Sequence, residues 1–261
     1  MRKIEDLEEL KSIELSIMKK IHTFCTERDI SYYLAYGTLI GAIRHSGFIP
    51  WDDDIDIQMF REDYERFIVE FTKVQEQYGC QIVNSKTKPY FGRNMSKVID
   101  TNTVVIEKKY NKDDNIGVFV DIWPLDGTPN NKLHRKIIIC LAKLISKMQL
   151  AASTDYKQEE TKKRKLAVII CNLFSSKRLL FVLDKISKKY KIADSEMLFV
   201  YCGKENEIAK RNYSKPILHD FEDVQLYIPS GYNEILTTYY GDYMKPPKDK
   251  KTNHIMNAYF K

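Results

Sequence analysis

The chain of 261 residues is poor in paired cysteines, in glycine and proline, and in long apolar runs, and each shortage excludes something. Its five cysteines, at 25, 80, 140, 171 and 202, are odd in number, widely spaced and include no C-x-x-C pair. That excludes a disulfide scaffold and a zinc knuckle. Ten glycines and eight prolines exclude collagen-like and low-complexity chains. No stretch approaches the roughly 18 apolar residues of a membrane span. The first ten residues carry four acids and no apolar segment. No secretory leader is expected from them, and the reducing cytoplasm is the expected compartment.

What is present is a large folding core. Hydrophobic residues make up 43% and aromatics 12%, enough to offset the entropy of ordering the chain. The net charge of +6 is unevenly placed: residues 132–191 carry sixteen Lys/Arg against four acids, so the other 201 residues sum to −6. A basic stretch in an otherwise acidic chain points to an anionic partner (membrane lipid, nucleic acid or a phosphorylated substrate) or to a solvated helical face. It shows no denser aromatic and basic interleaving than the rest of the chain, so no nucleic-acid partner is expected.

Leu7, Leu10, Ile13, Ile17, Ile21 and Phe24 recur at helical spacing and predict an amphipathic helix over Leu7–Glu27. Short strands follow at Ser31–Ala35, Ile55–Met59, Gln81–Val83, Val98–Ile99, Thr103–Glu107 and Gly117–Ile122. Helices are predicted over Thr38–Arg44 and Arg61–Gln77. The basic half reads as helices over Leu133–Leu150 and Lys162–Tyr190, and the tail from Tyr213 as loops with one short helix, Tyr232–Tyr240. The fold class is α+β, a mixed sheet flanked by helices with a basic helical insertion. Three parts are expected: a core over 1–130, the basic helical region 131–212 and a C-terminal segment 213–261 that folds back on the core.

The most informative stretch is Trp51-Asp52-Asp53-Asp54-Ile55-Asp56-Ile57. Four carboxylates in five residues repel one another. Strand alternation would put Asp52, Asp54 and Asp56 on one face. Such a hard-oxygen set suits Mg²⁺ or Mn²⁺. An exposed acidic turn is the alternative, but Trp51, Ile55, Ile57, Met59 and Phe60 argue for a buried strand that draws the cluster into a cleft. Upstream, Gly37-Thr38 at a strand-to-helix junction offers N–H and hydroxyl donors to phosphate. A Gly-Thr turn followed some fifteen residues later by Asp-x-Asp is the layout of nucleotidyltransferases. Arg44 lies between the two and could clamp a phosphate. Asp121 interrupts an apolar strand, where a carboxylate is costly unless paired or bound to metal. Asp126, just before a glycine, reads as a turn residue.

The residues Tyr36-Gly37-Thr38-Leu39-Ile40-Gly41-Ala42-Ile43-Arg44-His45, then Gly47-Phe48-Ile49-Pro50-Trp51-Asp52-Asp53-Asp54-Ile55-Asp56, resemble the LicD family. The match continues in Val120-Asp121-Ile122-Trp123-Pro124-Leu125-Asp126-Gly127, then in Ile228-Pro229-Ser230-Gly231-Tyr232 and Tyr240-Gly241-Asp242-Tyr243-Met244. The resemblance implies a nucleotidyltransferase-like fold. It implies transfer of a phospho-alcohol, phosphocholine above all, from a CDP-linked donor to a sugar hydroxyl of a cell-surface glycan. A fukutin-type branch uses CDP-ribitol. Carried over, the family's metal carboxylates fall on Asp54 and Asp56 with Asp52 or Asp53 close by, and Asp121 is the downstream carboxylate. Gly37, Thr38, Arg44 and Lys97 are then the expected phosphate contacts. The family's basic tail element corresponds to Lys250, Lys251 and His254. The acceptor glycan is expected on a lipid at the inner membrane face. A nucleotidyltransferase acting on a small molecule or RNA is the rival reading.

Overall fold

The computed structural model describes residues 1–88, 91, 93–106, 116–154, 161–201, 207–247 and 257–261. A two-residue strand β1 (Arg2–Lys3) leads into helix α1 (Leu7–Glu27). The Asp6 carboxylate caps α1 by accepting the Glu9 N–H at 2.6 Å. Its buried stripe holds Leu10, Ile17, Met18, Ile21 and Phe24, as the spacing predicts. The core then runs β2 (Tyr33–Leu34), α2 (Tyr36–His45), β3 (Ile55–Phe60), α3 (Arg61–Thr72), β4 (Cys80–Val83), β5 (Ser96–Asp100), β6 (Thr103–Val105) and β7 (Phe119–Gly127). Helices α4 (Lys132–Ala152), α5 (Lys162–Cys171) and α6 (Ser176–Ser187) follow, then β8 (Met197–Phe199) and β9 (Ile208–Ala209). The chain closes with β10 (Pro216–Phe221), β11 (Val224–Pro229), α7 (Tyr232–Tyr240) and β12 (Ala258–Phe260).

The main sheet has the order β2-β3-β7-β5-β4, with β8 and β9 continuing from the end of β7. Only β3 and β7 run parallel; the other described pairs are antiparallel. β7 is central and buried on both faces, which is why its sequence reads as an almost unbroken apolar run. Helices α1, α2 and α3 pack around this sheet in one core cluster that also takes in Phe221, Leu226 and Ile228 of the β10–β11 hairpin. β12 pairs with both β1 and β6, so the last residues lie against the first. The fold is the expected α+β arrangement.

Three expectations need correction. The helix expected over Lys162–Tyr190 is two, α5 and α6, bent by 80° at the break. The Ser175 side chain accepts the Arg178 N–H there and starts a new helix. The tail holds a six-residue hairpin where loops were expected. Its two-residue turn puts Glu222 at φ 54° with no glycine or asparagine to announce it, and Pro216 pairs with Pro229 at its open end. Asp126 is no turn residue: it ends β7 fully buried and accepts two bonds from Arg61, at 2.6 and 2.7 Å. This bidentate pair locks the start of α3 to the central strand. The part of the Thr103–Glu107 strand beyond Ile106 lies outside the described residues, as do Cys202, Lys250, Lys251 and His254.

Arg61→Ala leaves the Asp126 carboxylate buried without its cation, and urea unfolding is expected to show a loss of roughly 3 kcal/mol or more.

Candidate active site

The parallel register of β3 on β7 sets Asp56 directly beside Asp121. The antiparallel register of β5 on β7 sets Lys97 on the other side of Asp121. Registered neighbours project from the same face of a sheet, so three adjacent strands carry carboxylate, carboxylate and ammonium in a row. The Lys97 ammonium lies 2.5 Å from the Asp121 Oδ1 and over the Phe119 ring. Trp123, two residues on from Asp121 and therefore on the same face, donates its indole N–H to the Asp56 Oδ1 at 2.7 Å. Burial first, then the charges of Asp54 and Asp121, push the Asp56 carboxyl well above the usual range, against the pull of Trp123 and Lys97.

Helix α2 starts at this row. The Ala35 N–H donates to the Asp56 carbonyl at 3.0 Å, and the Asp56 N–H donates to the Thr38 hydroxyl at 2.8 Å. The Thr38 oxygen thus serves first to hold Asp56. Asp52, Asp53 and Asp54 lie in the loop before β3, so strand alternation does not govern Asp52. Asp53 is buried, while Asp52 and Asp54 are half-buried. At Gly37 an added Cβ would stand 2.6 Å from the Asp52 Oδ2, so this glycine lets the acidic loop close on the first turn of α2. At Gly41 a Cβ would strike the Gly47 carbonyl. The spaced glycines therefore serve packing.

A sixth carboxyl group joins the cluster from α1. Glu14 is fully buried, and neither of its oxygens has a hydrogen-bond partner among the described residues. Burial and the charges of Asp54, Asp53, Asp121 and Asp52 push its carboxyl well above the usual range. Sequence reasoning passed over it, yet a signal exists. Glu14 stands four residues from Leu10 and Met18, on the stripe that helical periodicity reserves for apolar side chains.

Aromatic rings wall the other side. Tyr36 adopts φ 49°, a costly value for a bulky residue. Its ring stacks on Tyr239 at 6.0 Å and meets Trp123 edge-on at 5.9 Å. Tyr36, Trp123 and Tyr239 thus form an aromatic group hydrogen-bonded to the carboxylate row through Trp123. Of the expected phosphate contacts, Gly37, Thr38 and Lys97 adjoin this row. Arg44 stands in the last turn of α2, where it donates to the Tyr243 carbonyl at 2.8 Å and faces the Trp51 ring.

The donor set is hard oxygen, with Lys97 paired to Asp121 within it. Among the described residues no three His, Cys, Asp or Glu side chains converge into an all-protein metal cage. The arrangement fits instead a Mg²⁺ held by one or two carboxylates, with phosphate oxygens and water completing its shell.

Residues 29–149 match the family model for the LicD/FKTN/FKRP nucleotidyltransferase domain. The lipopolysaccharide cholinephosphotransferase LicD of Haemophilus influenzae is 36% identical over 97% of each chain. This chain belongs to the LicD family. It is a phosphotransferase of the LicD type. More distant relatives include the mouse ribitol 5-phosphate transferase FKRP, 28% identical over 36% of this chain and 17% of its own. An uncharacterised Rickettsia typhi protein is 30% identical over 49% of this chain and 39% of its own. The LicD match over 29–149 begins after α1, so Glu14 lies outside the matched stretch while carboxylates within it raise its pKa.

Glu14→Gln removes a buried charge while keeping the shape. A carboxyl raised in the folded state binds its proton more tightly there, so its cost to stability appears as pH rises above the unfolded value. In EDTA, Glu14→Gln is therefore expected to be more stable than wild type at pH 8 by on the order of 1–3 kcal/mol, the gap narrowing toward pH 5. Thermal melts across that range check it.

Proposed function

We propose that this LicD-type enzyme moves phosphocholine from a CDP-linked donor to a sugar hydroxyl of a cell-surface glycan. The acceptor classes that fit are lipopolysaccharide, teichoic acid and capsule. The observation that carries the reading is the Trp123 hydrogen bond, which ties an aromatic group to the Asp56–Asp121 row. Aromatic faces bind quaternary ammonium groups, and paired carboxylates suit the diphosphate end of such a donor through a cation. The Haemophilus influenzae relative, a lipopolysaccharide cholinephosphotransferase, supports the same donor headgroup and acceptor.

One or two carboxylates of the row, Asp56 and Asp121 with Asp54 and Asp52 close by, would hold Mg²⁺ or Mn²⁺. When bound, that ion neutralises charge on the donor diphosphate and on the departing CMP. The chain's own residues do the rest. Tyr36, Trp123 and Tyr239 seat the choline headgroup. The N–H groups at Gly37 and Thr38 face phosphate at the start of α2. Lys97 keeps Asp121 oriented, and Arg44 adds positive charge from the far end of α2. The acceptor oxygen attacks phosphorus in line, the bond to the CMP oxygen breaks, and the sugar proton passes to Asp121 or Asp52. The working location is the cytoplasm.

Melting curves with Mg²⁺ and CDP-choline, CDP-ribitol, CDP-glycerol, CMP or ATP test this reading. CDP-choline should raise Tm most, only with the metal present, and the rise should vanish in Asp54→Asn and shrink in Tyr239→Ala. A rise with ATP and none with a cytidine nucleotide would favour a nucleotidyltransferase.

Trp123→Phe keeps a ring but removes the N–H donor to Asp56. Its transfer rate is expected to fall by roughly 10–100-fold, as for lost partners of metal ligands elsewhere, with the melting temperature little changed.

A further inference from the structure

Among the described residues eighteen large apolar side chains are exposed, and twelve of them lie between Leu133 and Val182. That stretch holds α4, α5 and α6. The three helices carry twelve Lys/Arg and one acid, Asp184. The charges facing the core are paired: Arg135 with Glu207 at 2.6 Å, and Asp184 with Lys188 at 2.9 Å. The outward face is different. On α4, Leu133, Ile137, Leu141 and Leu144 form an exposed stripe at helical spacing. Lys136, Lys143 and Lys147 line a groove of about 550 Å³ beside it. α5 buries only Val168. At the 80° break between α5 and α6, Leu173 is 84% exposed and Phe174 49%.

We propose that the outer face of α4–α6 is a docking surface for an anionic lipid bilayer, with Leu173 and Phe174 inserted between headgroups. Two arguments select that occupant. Protein interfaces are depleted in lysine, whereas helices that lie in a membrane interface combine Lys and Arg with Leu, Ile and Phe. A second copy of this chain would bring two strongly basic faces together across a twofold axis. No single described helix is long and apolar enough to cross a membrane; α5 and α6 reach that length and composition only together, across their 80° bend. The proposal does not depend on which alcohol the enzyme transfers.

Co-sedimentation of the full chain with phosphatidylcholine vesicles, with and without phosphatidylglycerol, tests it. Wild type should pellet with the anionic vesicles and stay in solution with the zwitterionic ones. Lys136→Gln with Lys147→Gln should weaken binding roughly tenfold or more. Leu173→Glu with Phe174→Ser should weaken it comparably, with the melting temperature and the transfer to a soluble acceptor unchanged. As a gain-of-signal check, the Leu173→Trp protein should show a blue-shifted indole emission on adding anionic vesicles. Failure of the wild type to pellet with phosphatidylglycerol overturns the proposal. So does equal pelleting of all variants, or a stable dimer that Leu173→Glu disperses.

Discussion

The parallel pairing of β3 with β7 is the constraint on which the site depends. It sets Asp56 against Asp121 at the centre of the sheet, and the antiparallel β5 brings Lys97 in from the other side. One residue of slip would turn each of these side chains to the opposite face and put the neighbouring Ile55, Ile57 and Ile122 in their place. The register is held from several directions. The Thr38 hydroxyl accepts the Asp56 N–H, the Ala35 N–H donates to the Asp56 carbonyl, and Arg61 clamps the far end of β7 through Asp126.

The same arrangement is expensive. Carboxylates from the loop 52–54, from β3, from β7 and from α1 share a mostly buried space, and Lys97 is the cation paired within their row. Stability alone would not select such a group, since apolar side chains of similar volume would pack there at lower cost. The proposed function accounts for it: a cation held there would offset both the carboxylates and the donor diphosphate. Glu14 extends this reasoning to a helix that precedes the catalytic domain in sequence. The left-handed Tyr36 is a second strained element, held by Trp123 and Tyr239 at the edge of the same row.

Charge is also divided between the layers of the molecule. The sheet and its acidic loop gather carboxylates inward, while α4–α6 present lysines and apolar side chains outward. The ion pairs Arg61–Asp126 and Lys188–Glu65 join α3 and the sheet to α6 and the turn that follows it, so the acidic site and the basic face belong to one packed unit.

Much of this was legible in the sequence. The apolar spacing of α1, the acidic run ending at Asp56 and the isolated Asp121 are local signals that indicate the α+β class and a carboxylate site, while the resemblance of the longer motifs around them indicates the family. Local signals could not reveal which distant residues meet. Trp123 reads as an ordinary strand aromatic, and only the pleat and the strand order turn its indole N–H toward Asp56. Asp126 looks like a turn residue because its partner Arg61 is 65 residues away. The hairpin at 216–229 carries no turn glycine, so cross-strand pairing, not local preference, decides it. Sequence determined composition, periodicity and the chemistry available. Tertiary structure decided adjacency, because the energies that matter at this site, burial of charge and pairing across strands, exist only once residues far apart in the chain share a low-dielectric space.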